Sequence, residues 1–491
     1  MTISESKPAS VAAGGFIERH GLYTPEQQEA ARALAEHVQE RGLRTIRIIW
    51  ADQHGSPRCK FVSTRDFIRA LSNGIDFSGA TVHMDSANHV FTPLFVQGGG
   101  FGIPEFTGFQ DFILVPDPRS FRELSWVEKT GWILSDMYFS NGKPVPFSTR
   151  SVLRQQLDEA RKLGYDYSAG LEIEFYLTKR ESTHIGLNDT GTPPAPPAVS
   201  IVAHGYQYLS ETRLAEIDDF LQVLRDNLEA LGLPLRTMED EWGPGQTEVT
   251  FDPLPGLDAA DSVILFRSAT KQICYENGYH ASFMSRPAFP NFFSSGWHLH
   301  QSLSEGNDDL NAFVGSDGNV LSPAGLSFVA GILEHAIPMT AFASPTVNGY
   351  KRYKPYSFAP DRVTWAIENR GAMVRIQGEP GDPSTHVENR MGEPAANPYL
   401  YMAANIAAGL DGIKKGAVPP PPVEADPYIA DAPMLPRALW EAMEALDRDR
   451  FFRGAFGDPM VDYYLAMKKS EIDRFLSEVT DWEMREYFEF Y

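Results

Sequence analysis

The sequence predicts an α+β chain in which a small mixed N-terminal domain precedes a large one built on amphipathic strands. Three observations carry that expectation. A hairpin pattern lies between Arg44 and Val62, prolines 144 and 146 punctuate the chain, and four downstream segments alternate polar with apolar residues. With 491 residues and 43% hydrophobic content the chain can bury a large core. Length alone is equally compatible with two or three domains and with one large unit plus a small one.

Taken in order, residues 1–15 are rich in Ser, Ala and Gly and read as a disordered tail, without the apolar run of a signal peptide. A helix follows from about Pro25 to Arg41, with Ala30, Ala33, Leu34 and Val38 expected on one face. Arg44–Trp50 and Lys60–Val62 read as strands joined by the turn Asp52-Gln53-His54-Gly55. The Gly-rich stretch 97–102 and the proline-bearing stretch 115–118 read as loops of the small domain. Beyond the prolines, Ser148 is placed to cap a helix presenting Val152, Leu153, Leu157, Ala160 and Leu163. Residues 191–197 form a Pro-rich surface loop. Asn397-Pro398 starts a helix running to about Ile413, with Asn as cap and Pro in the first turn. Four prolines, 419–422, then separate it from an acidic helical C-terminus.

Charge narrows the possible partners. Lys and Arg total 43 against 65 Asp and Glu, a formal charge of −22. Such a surface repels phosphodiester backbones and anionic lipid, so neither nucleic acid nor membrane is an expected partner. No stretch approaches the roughly twenty apolar residues of a membrane span. Two cysteines, Cys59 and Cys274, give no disulfide framework and fit a reducing cytoplasm.

The chemistry-bearing residues sit on the alternating segments. In Leu171–Leu177 a period of two puts Glu172, Glu174 and Tyr176 on one face, the two carboxylates roughly 6.6 Å apart along the strand. In Gln246–Phe251 the outward set is Gln246, Glu248 and Thr250. In Trp297–Leu303 it is His298, His300 and Ser302, and in His386–Arg390 it is His386, Glu388 and Arg390. Neighbouring carboxylates on a half-buried sheet are costly unless a cation sits between them. One such strand is commonly an ordinary solvated sheet face; four with Glu and His at their centres are harder to dismiss. A mostly oxygen-donor set with one imidazole favours Mg2+ or Mn2+ over Zn2+. Arg352, Arg370, Arg375 and Arg390 supply positive charge, and cations plus arginines are what phosphoryl transfer needs. P-loop and Rossmann fingerprints are absent.

In chain order, Glu172-Ile173-Glu174, the run Glu241–Glu248, the run Ser295–Ser302, Asn348-Gly349-Tyr350-Lys351-Arg352, Asn369-Arg370 with Arg375, and Glu388-Asn389-Arg390 followed by Asn397-Pro398-Tyr399-Leu400 resemble the successive motifs of glutamine synthetases. The resemblance implies a β-grasp domain over 16–145. It also implies a catalytic domain over 146–491, with a curved antiparallel sheet flanked by helices. It implies two metal sites, Glu174, Glu241 and Glu248 at one and Glu172, His298 and Glu388 at the other. His300, Ser302, Arg370 and Arg375 would contact the phosphates of ATP. Arg352 would grip the α-carboxylate of glutamate, and Arg390 would stabilise charge at its γ-carboxyl. The implied assembly is a homo-oligomer, two stacked hexameric rings with sites between subunits.

The departures set the expected acceptor. Ammonia-using members carry a glutamate just before Ala-Pro, where this chain has Phe358 before Ala359-Pro360. Ser78 aligns best with an aspartate that a neighbouring subunit lends to the ammonium site. Without those acids the pull on a small cation is lost. Phe358 with Trp297, and with Phe292, Phe293 or Tyr356 nearby, would suit a larger amine. Ser-Phe-Ala-Pro is similar to the γ-glutamylamide synthetase branch, including γ-glutamylpolyamine enzymes. An aromatic amine, neutral near pH 7, fits better than a polyamine. The competing expectations are an ordinary ammonia-using glutamine synthetase, a non-catalytic structural or sensing relative, and Phe358 as mere loop packing. Phe293-Ser294 stand where the family often has Asn-Gly, and His386 replaces an arginine. No adenylylation tyrosine segment is found. Cys274, Trp242 and Trp365 read as packing residues, and 471–481 as a solvated helix face.

Overall fold

The computed structural model describes residues 11–305 and 310–491. Most of the expected tail, residues 1–10, lies outside that range. Residues 11–15 lie against the helix Thr64–Asn73, where the Ala12 amide donates to Ser72 Oγ at 2.8 Å.

The N-terminal unit is a six-stranded sheet: β1 (Thr45–Ala51), β2 (Pro57–Ser63), β3 (Ile75–Ser78), β4 (Asp111–Pro116), β5 (Arg122–Glu123) and β6 (Thr130–Tyr138), in the order β2-β1-β6-β4-β3 with β5 on β6. β1 and β2 form the expected antiparallel hairpin, and β6 returns parallel to β1. Val115 and Pro116, expected in a loop, close β4 instead. Proline is tolerated there because it occupies the last residue of the strand. The helix Pro25–Glu40 forms with a Thr24–Gln27 capping box. Its buried stripe is Ala31, Leu34, Ala35 and Val38, and Ala33 is exposed: an i, i+3, i+4, i+7 set starting at 31 faces the sheet. The helix Thr149–Lys162 buries Val152, Leu153, Leu157 and Ala160 as expected, whereas Leu163 falls at its end and is exposed.

The second sheet holds ten strands: β7 (Tyr165–Arg180), β8 (Val199–Ile201), β9 (Leu235–Asp240), β10 (Gln246–Pro255), β11 (Tyr279–Ser282), β12 (Trp297–Glu305), β13 (Leu310–Asn311), β14 (Trp365–Ile367), β15 (Val374–Gln377) and β16 (His386–Gly392). Its main path is β14-β15-β16-β12-β7-β10-β9, antiparallel except for β14 with β15. Helices Thr149–Lys162, Gly256–Glu276 and Pro398–Lys415 cover the apolar face, so the opposite face is left for ligands. This is the expected α+β class. Among the described residues no single helix is long and apolar enough to cross a membrane.

Several contacts join the units, and two of them concern the site. Asn397 accepts from the Tyr399 amide at 3.0 Å, capping its helix, and donates to the Gln53 carbonyl at 3.1 Å in the hairpin turn. Gly55, at φ 75°, passes so close that a Cβ would meet the Asn397 Cα at 3.0 Å. The second device is an ion cluster around buried Arg150. Its guanidinium reaches Asp117 at 2.8 Å, Asp136 at 3.0 Å and Asp261 at 2.7 Å. Arg119 and Arg154 balance the remaining charge, and the Tyr399 hydroxyl donates to Asp261 at 2.7 Å. Breaking one such pair costs about 3–5 kcal/mol, because the other charges stay buried.

Candidate active site

Strand register assembles the site. Glu174 on β7 pairs with Glu248 on β10, and Glu172 pairs with His298 on β12. His300 pairs with Glu388 on β16, which pairs in turn with Arg375 on β15. Because side chains alternate across a strand, these residues emerge on one face, and all but the fully buried Glu388 wall a cavity of about 1750 Å3. Glu241, at the end of β9, joins them, as do Ser302, Arg352, Arg370, Arg390 and Phe358.

Two groups of donor atoms converge within 4.8 Å: Glu172, Glu248 and His298, and Glu172, His300 and Glu388. Glu172 is shared. Its carboxylate meets His298 Nδ1 directly and lies 3.0 Å from His300 Nε2. His300 therefore sits in a ligand cluster, in addition to the phosphate contact that the resemblance implies for it. Its Nδ1 lies 3.0 Å from His386 Nε2, so the imidazole standing in for an arginine does face the site. Glu388 receives Arg390 at close range, Arg375 at 3.2 Å and Gln377 at 3.0 Å. Arg390 also donates to the Phe358 carbonyl at 3.3 Å, and Gln246 donates to Glu174 at 3.0 Å.

The electrostatics fit a divalent cation. Burial and four neighbouring glutamates push Glu248 up to about 11, and burial with Glu174 pushes Glu241 up to about 8. Burial raises Glu174 to about 7 despite the opposing charge of Arg352. Arg390 and the histidines hold Glu388 down to about 2 against its burial. Burial and Arg390 lower His298, keeping the imidazole neutral, the form that ligates metal. Carboxylates this crowded need a proton or a metal ion to coexist. Arg352 Nη1, Arg375 Nε and Arg390 Nε are buried without partners, donors that anionic groups in the cavity can satisfy.

This crowding gives a testable pH dependence. The three raised carboxyls release protons near pH 4.5 when unfolded but retain them above that when folded, so folding binds protons and stability falls as pH rises. In EDTA the melting temperature is expected to fall from pH 5 through pH 7 to 8, and on towards 11 as Glu248 ionises. Saturating Mg2+ is expected to flatten that slope, and Glu248→Gln to reduce it without metal. A metal-free slope of zero would refute the crowding.

Trp297 and Ser78 do not line the cavity of this chain. Trp297 is fully buried, edge-on to Tyr401 and 6.0 Å from the Arg267 guanidinium; one position from His298, it faces the opposite side of the sheet. Ser78 ends β3 and caps the turn Gly79–His83, outside the cavity of its own chain. Phe292 stacks on Tyr176 beneath the wall, whereas Phe293, half exposed, and Tyr356 line the cavity. Phe358 is 60% exposed at φ 59°, so it is not packed into a loop core. Cys274 is buried, and Trp365 packs with its Nε1 on the Pro420 carbonyl, as expected. Trp242 departs from expectation: it is 41% exposed on the cavity wall and lies parallel to Tyr208. Its neighbours Glu241 and Gly243-Pro244-Gly245 form a non-repetitive turn where strand periodicity gives no facing signal.

Residues 146–487 match the family model of the glutamine synthetase catalytic domain. A γ-glutamylanilide synthase from Acinetobacter sp is 43% identical, covering 96% of this chain and 98% of its own. A glutamine synthetase from Thermus thermophilus is 35% identical over 80% of this chain and 88% of its own. A solved structure described as a GmaS/ADP complex superposes with a TM-score of 0.77 at 28% identity, covering 93% of this chain and 99% of that one.

Proposed function

This chain belongs to the glutamine synthetase family, and from that premise we propose that it is an ATP-dependent ligase joining the γ-carboxylate of glutamate to an amine larger than ammonia, with an aromatic amine as the favoured acceptor. Phe358 at the cavity rim carries the reading, because it stands where ammonia-using relatives carry a glutamate. The relative named for γ-glutamylanilide supports it.

The reaction has two displacements. A γ-carboxylate oxygen attacks the terminal phosphorus of ATP, and ADP leaves. The amine nitrogen then attacks the acyl carbon of γ-glutamyl phosphate; the acyl–oxygen bond breaks, phosphate leaves, and the nitrogen loses its extra proton. Arg352 holds the α-carboxylate, and Arg390, already aimed at Glu388 and the Phe358 carbonyl, lies beside the transferring group. Ser302, Arg370 and Arg375 hold nucleotide phosphates, and His300 and Glu388 connect that end to the cation cluster. Two Mg2+ or Mn2+ ions would be held by Glu174, Glu241 and Glu248 and by Glu172, His298, His300 and Glu388, supplying charge neutralisation for the migrating phosphoryl group. An anilinic nitrogen is uncharged near pH 7, so it needs no acid to bind it and little base to activate it. Ser78 would reach this site only from a neighbouring subunit of the proposed dodecamer. The reducing cytoplasm suits its two unpaired cysteines.

Phosphate release with glutamate, ATP and Mg2+ across an amine panel tests this. Turnover is expected with aniline and larger amines and to be weak with ammonium. Robust turnover with ammonium alone would make the protein an ordinary glutamine synthetase, and none with any amine would favour a non-catalytic relative.

A further inference from the structure

The register gives the cavity two ends. Along β7, residues 168 to 176 span about 27 Å. Ser302 pairs with Ser168 at one end, and Glu172 and Glu174 occupy the middle. Gln246 pairs with Tyr176 at the other. Ser302 belongs to the proposed nucleotide end. The far end, beyond the carboxylates, is where Trp242 emerges from the turn joining β9 to β10. Phe293 lies there too, its amide accepted by the Tyr176 hydroxyl at 2.7 Å.

At that far end the rings of Tyr208 and Trp242 lie 5.4 Å apart and 2° from parallel. They are 46% and 41% exposed, and both line the cavity. Backbone bonds hold them in place: the Tyr206 amide donates to the Trp242 carbonyl at 3.1 Å, and the Leu209 amide to the Asp240 carbonyl at 3.2 Å. Large aromatic surface left in water has a free-energy cost that an inserted planar apolar group would remove. Charged amines have nearby acids in Glu239 and Glu241, but the ring faces themselves offer no fixed charge or strong acceptor.

We infer that the Tyr208–Trp242 stack is the wall of the acceptor subsite that holds the aryl group of an aromatic amine, at the end of the cavity remote from Ser302. The inference rests on the larger-amine reading and names the residues that select its aromatic acceptor. The stack selects aryl over alkyl amines by ring contact, while the amine nitrogen points back towards Glu241 and the acyl carbon.

The test compares wild type with Tyr208→Ala, Trp242→Ala and Trp242→Phe on aniline and ethylamine, with KM for ATP measured in parallel. The ratio of kcat/KM for aniline to that for ethylamine is expected to fall about ten- to hundredfold in either alanine variant, with KM for ATP within about twofold of wild type. Trp242→Phe, which keeps a ring, is expected to recover most of the ratio and covers the case of an alanine variant that folds poorly. An unchanged ratio in folded variants overturns the inference, as does an effect confined to KM for ATP, which would make the stack a nucleotide platform. Wild type that uses ethylamine but not aniline overturns it while sparing the larger-amine reading. Wild type that uses only ammonium sinks both.

Discussion

Glu172→Gln is expected to lower ATP-dependent phosphate release about a hundred- to thousandfold while leaving the protein folded. Glu172 belongs to both convergent donor groups, so one neutralised oxygen loosens the contacts of His298 and of His300 with Glu388 around the cation proposed there. Losing charge stabilisation at a developing transition state typically has an effect of this size. The amide keeps the shape of the side chain and can still bond His298 and His300, so a folding defect is not expected. Thermal melts with and without Mn2+ separate the causes: the wild-type protein should gain stability from Mn2+, and the variant much less. Full activity in Glu172→Gln would remove the basis for a metal-assisted ligase.

Phe358→Glu should move the acceptor preference towards ammonium. The backbone carbonyl of Phe358 accepts from Arg390 whatever the side chain is, and the ring is largely exposed, so the change alters the cavity without uncovering a core. A carboxylate there attracts a small cation and leaves an aryl ring facing charge. We expect kcat/KM for aniline to fall about a hundredfold and KM for ammonium to drop at least tenfold, read by phosphate release under saturating glutamate. If aniline turnover is unchanged, Phe358 does not touch the acceptor.

These expectations show where sequence was informative. The ligand-bearing strands were legible because a period of two is local: Glu172 and Glu174 announce their face within seven residues. The partnership of His300 with Glu388 was not, because it depends on register between strands separated by over eighty residues. The burial of Trp297 is itself legible, since the alternation that exposes His298 buries its neighbour. Trp242 gives no facing signal in sequence because its segment has no period, and only the three-dimensional turn exposes its ring beside Tyr208. The N-terminal helix shows the same limit: its existence was clear from capping, whereas the buried stripe shifted once the sheet chose a side.

The Arg150 cluster also constrains how the protein can move. Buried Arg150 is locked to Asp117 and Asp136 on one side and Asp261 on the other, with Arg154 and the largely exposed Arg119 at the margin, so the two units cannot hinge apart without stranding buried charge. The exposed segments 206–209 and 354–358 at the cavity wall lie outside that lock. Adaptation to new acceptors can then proceed by editing those segments while the skeleton beneath stays unaltered.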